Sequence, residues 1–349
     1  MKKTKTKTKA KTTDTMKILV VKLSSLGDII HVFPGLTELQ EHHPEVEITW
    51  VVDEPFAEVP LWHSAVKKVI VAPLRQLKQQ GWSLKAYSTL KGLIKQIRAE
   101  KYDYVIDAQG LFKSALLARV AQGKRIGFGR GCLRENVWWL YQHWVFIPFK
   151  EHAIKRQKAL FAEVGQYIAN PEIEYGLTPW QPNTNKVILF AHGTTWSSKH
   201  YPDSLWKALA ECVTKAGYEV WLPQSNAREL KRAEFLKVND QVKILPKMSL
   251  NNMKDTLLKV SGVIAVDTGL AHISAALAIP CVTLYGPTDP AKIGTLGERQ
   301  KQLKADFECA PCNNRDCTHP DRMQAPTPPC FKTVSPLSIW QALQELLVV

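Results

Sequence analysis

The sequence predicts an α/β fold of two Rossmann-like, doubly wound domains that face each other across a cleft. Short apolar runs alternate with amphipathic helical stretches along most of the chain. The proline-punctuated polar segment Leu177–Asn183 interrupts this alternation, which then restarts. With 349 residues, the chain has room for two domains of ordinary size.

The first half alternates five strands with helices. The strands are predicted at Lys17–Lys22, Ile48–Val52, Lys67–Val71, Tyr104–Asp107 and Arg125–Phe128. The helices are predicted from Ile29 to about His43 and at Leu84–Glu100, Leu111–Ala121 and Ala153–Tyr167. The aromatic cluster Trp138–Trp144 has a helical spacing that is typical of core residues.

The second half repeats the alternation. Its strands are predicted at Val187–His192, Tyr218–Leu222, Val242–Leu245, Gly262–Val266 and Cys281–Gly286. Its helices are predicted at Asp203–Ala216, Arg228–Val238, Leu250–Val260, from the turn at Gly269 onward, and at Pro336–Leu347. We divide the chain into a disordered basic tail (1–15), a first Rossmann-like domain (16–178), a second Rossmann-like domain (179–335) and a C-terminal helix (336–349) that can pack back on the first domain.

The formal net charge is +14, and six lysines lie within Met1–Lys11. This tail is either a dispensable extension or a polybasic segment that leans on anionic lipid. The body is also basic, which suits an acidic partner such as nucleic acid, a lipid head group or a sugar nucleotide. No apolar run approaches ~18 residues and no secretory signal precedes the first strand, so we expect a cytoplasmic protein without a membrane-spanning helix.

Polar turns follow one strand in each half. Asp28, at a helix start after the first strand, is either an N-cap or a general base facing the cleft. The turn Asp267–His272 is either an ordinary capped turn or an anion site at a helix N-terminus. Neither turn matches a dinucleotide fingerprint, which disfavours a nicotinamide-dependent dehydrogenase.

Three further features are candidates for ligand contacts. The loop after Val187–His192 contains Thr194, Thr195 and Lys199, and reads as a phosphate cradle or as a polar loop with a surface lysine. Glu229 opens a helix, where it can bind a ribose or favour the helix dipole. Four clustered cysteines fit a structural zinc site, disulfides or reduced packed thiols: Cys309, Cys312, Cys317 and Cys330.

Together these pieces resemble the ADP-heptose:lipopolysaccharide heptosyltransferases, a family of inverting glycosyltransferases with the GT-B fold. The resemblance covers about residues 16 to 300. It is carried by Ile18–His31, by Val105–Ala115, by Thr194-Thr195 with Lys199-His200, and by Val266–His272 continuing to Tyr285–Pro290. The match is best to the branch that adds the first heptose to Kdo–lipid A. The cysteine cluster looks more like the branches that add the second or third heptose, so the acceptor position stays open.

The resemblance implies a role for each matching residue. Asp28 would deprotonate the acceptor Kdo hydroxyl, while Lys199, with Thr194 and Thr195, would contact the donor phosphates. Glu229 would bind the ribose. The ADP would be held by Asp267, Thr268, Gly269, Leu270 and His272. The acceptor would be met by Ser24, Ser25, Gly27, Lys113 and Arg75.

The resemblance also implies the cofactors and partners. ADP-heptose is the expected donor and Kdo–lipid A the expected acceptor, with no metal needed for catalysis and structural zinc left open. We expect a monomer, peripheral on the cytoplasmic face of the inner membrane of a Gram-negative bacterium, with basic and aromatic N-domain residues at the lipid and no nucleic-acid partner. A basic nucleotide- or nucleic-acid-binding protein without transferase activity is the alternative from another class.

Overall fold

The computed structural model describes residues 15–81, 83–323 and 327–347, so the predicted basic tail lies outside the described residues except for Thr15. Two parallel six-stranded sheets are flanked by helices. This is the predicted α/β architecture of two doubly wound domains. No helix in the described ranges is long and apolar enough to cross a bilayer.

The first sheet has the order β3-β2-β1-β4-β5-β6. Its strands are β1 (Lys17–Val21), β2 (Glu47–Asp53), β3 (Val66–Ala72), β4 (Lys101–Asp107), β5 (Gln122–Phe128) and β6 (His143–Val145). Its helices are α1 (Leu26–Ile30), α2 (Phe33–His42), α3 (Leu74–Gln80), α4 (Leu84–Ile97), α5 (Phe112–Val120) and α6 (Ala153–Gly165). Strand β1 is central and apolar because helices cover both faces of the sheet.

The second sheet has the order β12-β11-β10-β7-β8-β9, which repeats the first when its strands are renumbered from β7. Its strands are β7 (Val187–Ala191), β8 (Glu219–Leu222), β9 (Val242–Ile244), β10 (Gly262–Val266), β11 (Cys281–Tyr285) and β12 (Gln300–Lys304). Its helices are α7 (Asp203–Lys215), α8 (Ala227–Leu236), α9 (Leu250–Leu257), α10 (Gly269–Ala276), α11 (Pro290–Ile293) and α12 (Pro336–Leu347).

Strand order reverses beside β1 and β4 in the first sheet, and beside β7 and β10 in the second. Ligands of open α/β sheets bind at such switch points, outside the carboxyl ends of the strands. Asp28 follows β1 and Asp267 follows β10. The topology therefore brings the two predicted polar turns to the two switch points.

The structure differs from the sequence prediction in several elements. The predicted helix from Ile29 is two helices, α1 and α2, with His31 and Val32 between them. Strands β6 and β12 and helix α3 were not predicted; β6 has only three residues and β12 is mainly polar, so neither strand is an apolar run. The aromatic cluster is a short 3₁₀ turn followed by β6 rather than a core helix, and Trp139 is exposed.

The last helix also differs from expectation. We expected residues 336–349 to be able to pack on the first domain, whereas α12 contacts α7 and strands β10 to β12 of the second. Its buried side chains Ile339, Trp340 and Leu343 join the core of the second sheet. The apolar face of α12 therefore completes the second domain.

Candidate active site

The two switch points meet through the N-termini of two short helices. Helix α1 follows β1, helix α10 follows β10, and the two helices are in contact. A Cβ on Gly27 would lie 2.5 Å from Cδ2 of His272, and a Cβ on Gly269 would lie 2.6 Å from Cγ of Leu26. Glycine at both positions therefore permits the close approach of the two domains.

Asp28 lies on the α1 side of this contact. The backbone N–H of Ser25 and its hydroxyl donate hydrogen bonds of 3.0 and 2.7 Å to Oδ2 of Asp28. Burial favours a higher pKa for this carboxyl, but the charge of Lys22 and the Ser25 bonds oppose it, and the pKa lies below the ordinary value. Asp28 is therefore ionised at neutral pH, and neither Ser25 bond occupies Oδ1.

Lys22 is a buried cation that the sequence analysis treated only as the end of a strand. Its ammonium donates a 3.1 Å hydrogen bond to the carbonyl of Ala108. Burial lowers the pKa of Lys22, while the nearby carboxylates of Asp28 and Asp107 oppose that shift. A lone lysine in an otherwise apolar run was the sequence signal for a buried charge beside Asp28.

The loop after β4 makes hydrogen bonds to the Ser24–Ser25 turn, which is predicted to contact the acceptor. Oε1 of Gln109 accepts hydrogen bonds from the N–H groups of Leu23 and Ser24, at 3.1 and 3.2 Å. Ser24 is half-buried and Ser25 is exposed. The β4 loop thus holds the Ser24–Ser25 turn that leads into α1.

The two predicted basic acceptor residues flank this turn. Lys113 is exposed in the first turn of α5, after β4. Arg75 is exposed in α3, after β3, with Nε 3.5 Å from Oδ2 of Asp53 at the end of β2. Both lie at the carboxyl edge of the sheet, on either side of β1.

The second-domain side of the cleft is built around Asp267, which is buried at the end of β10. Nζ of Lys199 lies 2.7 Å from Oδ2 of Asp267, and the Thr288 hydroxyl donates a 2.7 Å bond to the same oxygen. Burial favours a higher pKa for Asp267, but His272 and Lys199 outweigh it and hold the pKa well below the usual range. The carboxylate thus fixes the Lys199 ammonium at the cleft.

The loop after β7 surrounds this pair. The Thr194 hydroxyl donates a 3.3 Å hydrogen bond to the carbonyl of Asp267, and Thr195 is exposed. The Lys199 ammonium also lies 4.5 Å from the centroid of the Trp196 ring. The structure therefore brings Thr194 and Lys199 to the Asp267 turn, as the phosphate-cradle prediction requires.

Glu229 lies over the end of β7. Its Oε2 accepts 2.7 Å hydrogen bonds from the N–H and the hydroxyl of Ser225. A Cβ on Gly193 would collide with the Glu229 carboxylate, so the glycine makes room for it. The side chain thus sits at the same strand edge as the other donor-side residues.

The remaining predicted donor residues form the start of α10. Thr268 is the N-cap residue, with extended backbone and no side-chain capping bond. Gly269 and Leu270 form the first turn, and Leu270 is half-buried against the core that both domains share. The N–H groups at this helix start lie between Asp267 and α1, where an anion is favoured.

Three buried histidines lie at the contact between the domains, and the sequence analysis gave only His272 a role. Nε2 of His31 lies 3.1 Å from Nδ1 of His272, and Nε2 of His152 lies 3.0 Å from the carbonyl of Gly294. Burial lowers the pKa of His31 well below its usual value, with His272 adding to the effect. His31 is therefore neutral at pH 7, and its imidazole contributes a polar contact between the domains without a charge.

The described first part of the cysteine loop, residues 306–323, holds the Lys199 turn. The N–H of Ser198 donates to the carbonyl of Arg315 at 3.1 Å, and its hydroxyl donates to the carbonyl of Asn314 at 2.6 Å. Ser197 donates a 2.6 Å bond to Oδ1 of Asp316. The loop thus acts as a support for the donor side.

The four clustered cysteines are all free thiols. Burial, with the other three cysteines nearby, raises the pKa of Cys330 to about 12. Within the described residues, no group of three or more potential ligands is arranged to hold a metal ion. The geometry of these thiols therefore gives the zinc prediction no support; Cys330 is buried, whereas Cys309 is exposed.

Comparison with known proteins identifies close relatives. Residues 90–322 match the family described as glycosyltransferase family 9 (heptosyltransferase). The lipopolysaccharide heptosyltransferase 1 of Pseudomonas aeruginosa is 36% identical over 350 residues, covering 95% of this chain and 98% of that protein. The Escherichia coli K12 protein of the same name is 37% identical over 303 residues, covering 84% of this chain and 95% of that protein.

Solved structures agree with these relatives. The structure of Escherichia coli heptosyltransferase WaaC with ADP matches with a TM-score of 0.83 at 33% identity, covering 95% of this chain and 100% of that chain. The Escherichia coli ADP-heptose heptosyltransferase II matches with a TM-score of 0.72 at 20% identity, which bears on the fold alone.

Proposed function

This chain belongs to glycosyltransferase family 9, the heptosyltransferases, and we propose that it transfers L-glycero-D-manno-heptose from ADP-heptose to Kdo of Kdo–lipid A. The observation that carries the proposal is the contact between α1 and α10. It brings an ionised carboxylate, Asp28, up to the turn where Asp267 fixes Lys199. A glycosyl transfer from a sugar nucleotide needs these two kinds of group on opposite sides of the reacting carbon.

The reaction then proceeds by inverting displacement. Asp28 accepts the proton of the Kdo hydroxyl as its oxygen bonds to the anomeric carbon of the heptose. The bond between that carbon and the ADP oxygen breaks, and ADP leaves with the electron pair. Lys199 and the N–H groups at the start of α10 stabilise the negative charge of the departing diphosphate.

The remaining donor residues hold the nucleotide. Glu229 accepts hydrogen bonds from the ribose hydroxyls, while Thr194 and Thr195 line the phosphates. Asp267, Thr268, Gly269, Leu270 and His272 form the turn against which the ADP rests. Because Lys199 and the α10 N-terminus supply fixed positive charge, these steps require no metal.

The first core heptose is favoured over the second or third by the degree of similarity. The heptosyltransferase 1 proteins of Pseudomonas aeruginosa and Escherichia coli K12 are 36% and 37% identical over 84% or more of this chain, and that of Campylobacter coli is 26% identical. The heptosyltransferase 2 of Haemophilus ducreyi is 24% identical over 79% of this chain, and that of Haemophilus influenzae is 30% identical over only 32% of it. The cysteine loop, which had suggested a later heptose, contacts the donor side at Ser197 and Ser198 and so does not bear on the acceptor.

We further propose that the protein works as a peripheral monomer on the cytoplasmic face of the inner membrane of a Gram-negative bacterium. The support is chemical: an acceptor anchored by lipid A presents its Kdo at a bilayer surface. Ser24, Ser25, Gly27, Lys113 and Arg75 would receive this polyanionic sugar, with the two exposed cations at its acidic groups.

The test is to incubate the protein with ADP-heptose and Kdo–lipid A and to measure product masses. We expect a product heavier by one heptose with Kdo–lipid A, and none with an acceptor that already carries the first heptose. No product from folded, ADP-binding protein would overturn the assignment, and transfer only to the heptosylated acceptor would move it to a later step.

A second test concerns the base. We expect Asp28→Asn to lower kcat by about 10² to 10⁴-fold, since a general base contributes that range, while ADP still raises the melting temperature. Asp240→Asn, an exposed carboxylate of the second domain, is the matched control and retains full activity. If Asp28→Asn keeps nearly full activity, the base is another group.

A further inference from the structure

A cluster of exposed aromatic side chains lies on the first domain. We define the aromatic rim by its five members: Phe112, Trp139, Trp144, Phe146 and Phe149. Their exposed fractions run from 39% to 69%. They are five of the seven exposed Phe, Trp and Tyr side chains in the described part of the chain, so exposed aromatic surface is concentrated here.

Contacts tie the segments of the aromatic rim together. The N–H of Phe112 donates a 2.6 Å hydrogen bond to Oε2 of Glu135, which joins the start of α5 to the loop before β6. The indole N–H of Trp144 donates a 2.7 Å bond to the carbonyl of Trp138. These bonds fix two exposed rings on neighbouring segments of one surface.

The last two rings are fixed in a similar way. A Cβ on Gly129 would lie 2.5 Å from the Phe146 ring, so that ring rests on the backbone after β5. The Arg156 guanidinium lies 4.8 Å from the centroid of Phe149. Phe146 and Phe149 are therefore held by defined contacts, and each still exposes half or more of its side chain.

Three rings of the aromatic rim follow strands at the edge of the sheet that carries the proposed base, whereas Trp139 precedes β6 and Trp144 lies within it. Phe112 follows β4, Gly129 follows β5, and Phe146 and Phe149 follow β6. The parallel strands run in the order β1-β4-β5-β6, so their carboxyl ends form one edge that begins at Asp28. A surface bound by the rim would therefore lie beside the acceptor side of the cleft.

The charge of this region identifies the partner class. Residues 112–151 contain seven Lys and Arg and two Asp and Glu, a formal net charge of +5. Exposed cations among them are interleaved with the rings along the sequence: Lys113, Arg119, Lys124, Arg130, Arg134 and Lys150. Of these, Lys113, Arg130 and Lys150 follow β4, β5 and β6 at the carboxyl edge of the sheet. Aromatic rings with clustered cations are typical of surfaces that sit in the head-group region of anionic bilayers.

We propose that the aromatic rim is the surface by which this protein docks on an anionic phospholipid bilayer. The rings insert at the head-group level and the surrounding cations meet the lipid phosphates. The choice of a bilayer rests on the proposed function, because a lipid-anchored acceptor would then emerge beside Asp28. Docking in this orientation leaves the second domain free to bind and release the nucleotide.

The test uses co-sedimentation with vesicles of phosphatidylglycerol and phosphatidylethanolamine, which contain no acceptor. We expect the full-length protein to bind them and to bind phosphatidylcholine vesicles at least tenfold more weakly. The double variant Trp139→Ser/Phe146→Ser is expected to bind the anionic vesicles at least tenfold more weakly than the unaltered chain. The matched control is Tyr87→Ser/Phe235→Ser, which removes two exposed aromatics elsewhere and retains binding.

Two further measurements separate docking from folding and from catalysis. An unchanged melting temperature and ADP-induced shift would establish that the rim variant is folded. Its transfer to acceptor embedded in vesicles is expected to fall at least fivefold, with transfer to detergent-dispersed acceptor unchanged. If the unaltered chain and all variants transfer no heptose to either acceptor, the proposed function is overturned, while the vesicle-binding result still stands.

The docking proposal is overturned by any of three results: no binding of the unaltered chain to anionic vesicles, equal binding by the rim variant, or equal loss by the control variant. Displacement of the vesicles by an equimolar oligonucleotide, with the rim variant losing oligonucleotide affinity as well, would assign the surface to nucleic acid instead.

Discussion

A methyl group added at Gly27 is expected to push helix α1, which carries Asp28, away from helix α10 of the second domain. In Gly27→Ala the new Cβ would lie 2.5 Å from Cδ2 and 3.1 Å from Nε2 of His272. Carbon atoms pack best at about 3.5–4.0 Å, so the His272 ring or helix α1 must move by about 1 Å. Since the backbone of Gly27 is outside the left-handed region, the clash is the only obstacle to alanine.

The ring has little room to yield. His272 is buried, with Nδ1 3.1 Å from His31 and Nε2 3.8 Å from Asp267. Movement is therefore taken up by α1, which carries Asp28 in the next position. A displacement of 1 Å at a reacting group costs about 10²-fold in rate, and overpacking costs about 1–3 kcal/mol of stability.

Steady-state kinetics and thermal unfolding test this prediction together. We expect Gly27→Ala to lower kcat about 100-fold while ADP affinity changes less than tenfold, because most of the nucleotide site lies on the second domain. Gly269→Ala approaches the same contact from the other side, with its Cβ 2.6 Å from Cγ of Leu26, and is expected to have the same effect.

The control is Gly92→Ala in α4, where the new Cβ meets nothing within 4 Å. This variant is expected to retain its activity and to gain about 0.5–1 kcal/mol, as is usual for glycine replaced in a helix. The reasoning is refuted if Gly27→Ala keeps kcat within threefold of the unaltered chain and melts at the same temperature.

Three other predictions follow from the charges. Asp267→Asn removes the charged partner of Lys199 and is expected to lower the free energy of unfolding by about 3 kcal/mol at pH 7. Because the pKa of Asp267 lies below its ordinary 3.8, we expect urea unfolding to show this difference shrinking only below about pH 4. Burial lowers the pKa of His63 from 6.5 to about 4. The neutral imidazole therefore contributes about 3 kcal/mol to the free energy of unfolding above pH 6.5, and this contribution is lost as the pH falls to 4. His63→Asn, which retains an acceptor for the N–H of Ala65, is expected to flatten that part of the unfolding profile, and an unaltered profile would contradict the assignment. Excess EDTA is expected to leave the transfer rate within twofold, because Lys199 supplies the positive charge at the diphosphate, and a tenfold loss would argue for a metal.

The fold was predictable because the strands of parallel sheets are short apolar runs that any helix-flanked sheet requires. Two of the four edge strands lack this signal: β6 contains His143 and Trp144, and β12 contains three polar or charged residues before its first apolar one. The break between α1 and α2 was missed because the apolar spacing continues through His31 and Val32.

The residues of the candidate site were partly predictable because each follows a strand, where ligand-binding residues of α/β proteins collect. What brings Asp28 to Asp267 is a contact between glycines and side chains from opposite halves of the chain, which local patterns do not encode. The same holds for Lys22, whose role depends on burial beside Asp28, and for His31, whose partner His272 is 241 positions away.

The hydrogen bonds that hold the Lys199 turn affect when, during synthesis of the chain, the nucleotide site can form. The Ser197 and Ser198 hydroxyls donate hydrogen bonds to residues 314–316, which are 116 to 119 positions further along the chain. A polypeptide that ends after β12 would contain every proposed donor residue and both sheets, yet it would lack residues 314–316, which hold the Lys199 turn. Since α12, which completes the core of the second domain, also lies after β12, we expect nucleotide affinity to appear only when the last part of the chain has left the ribosome.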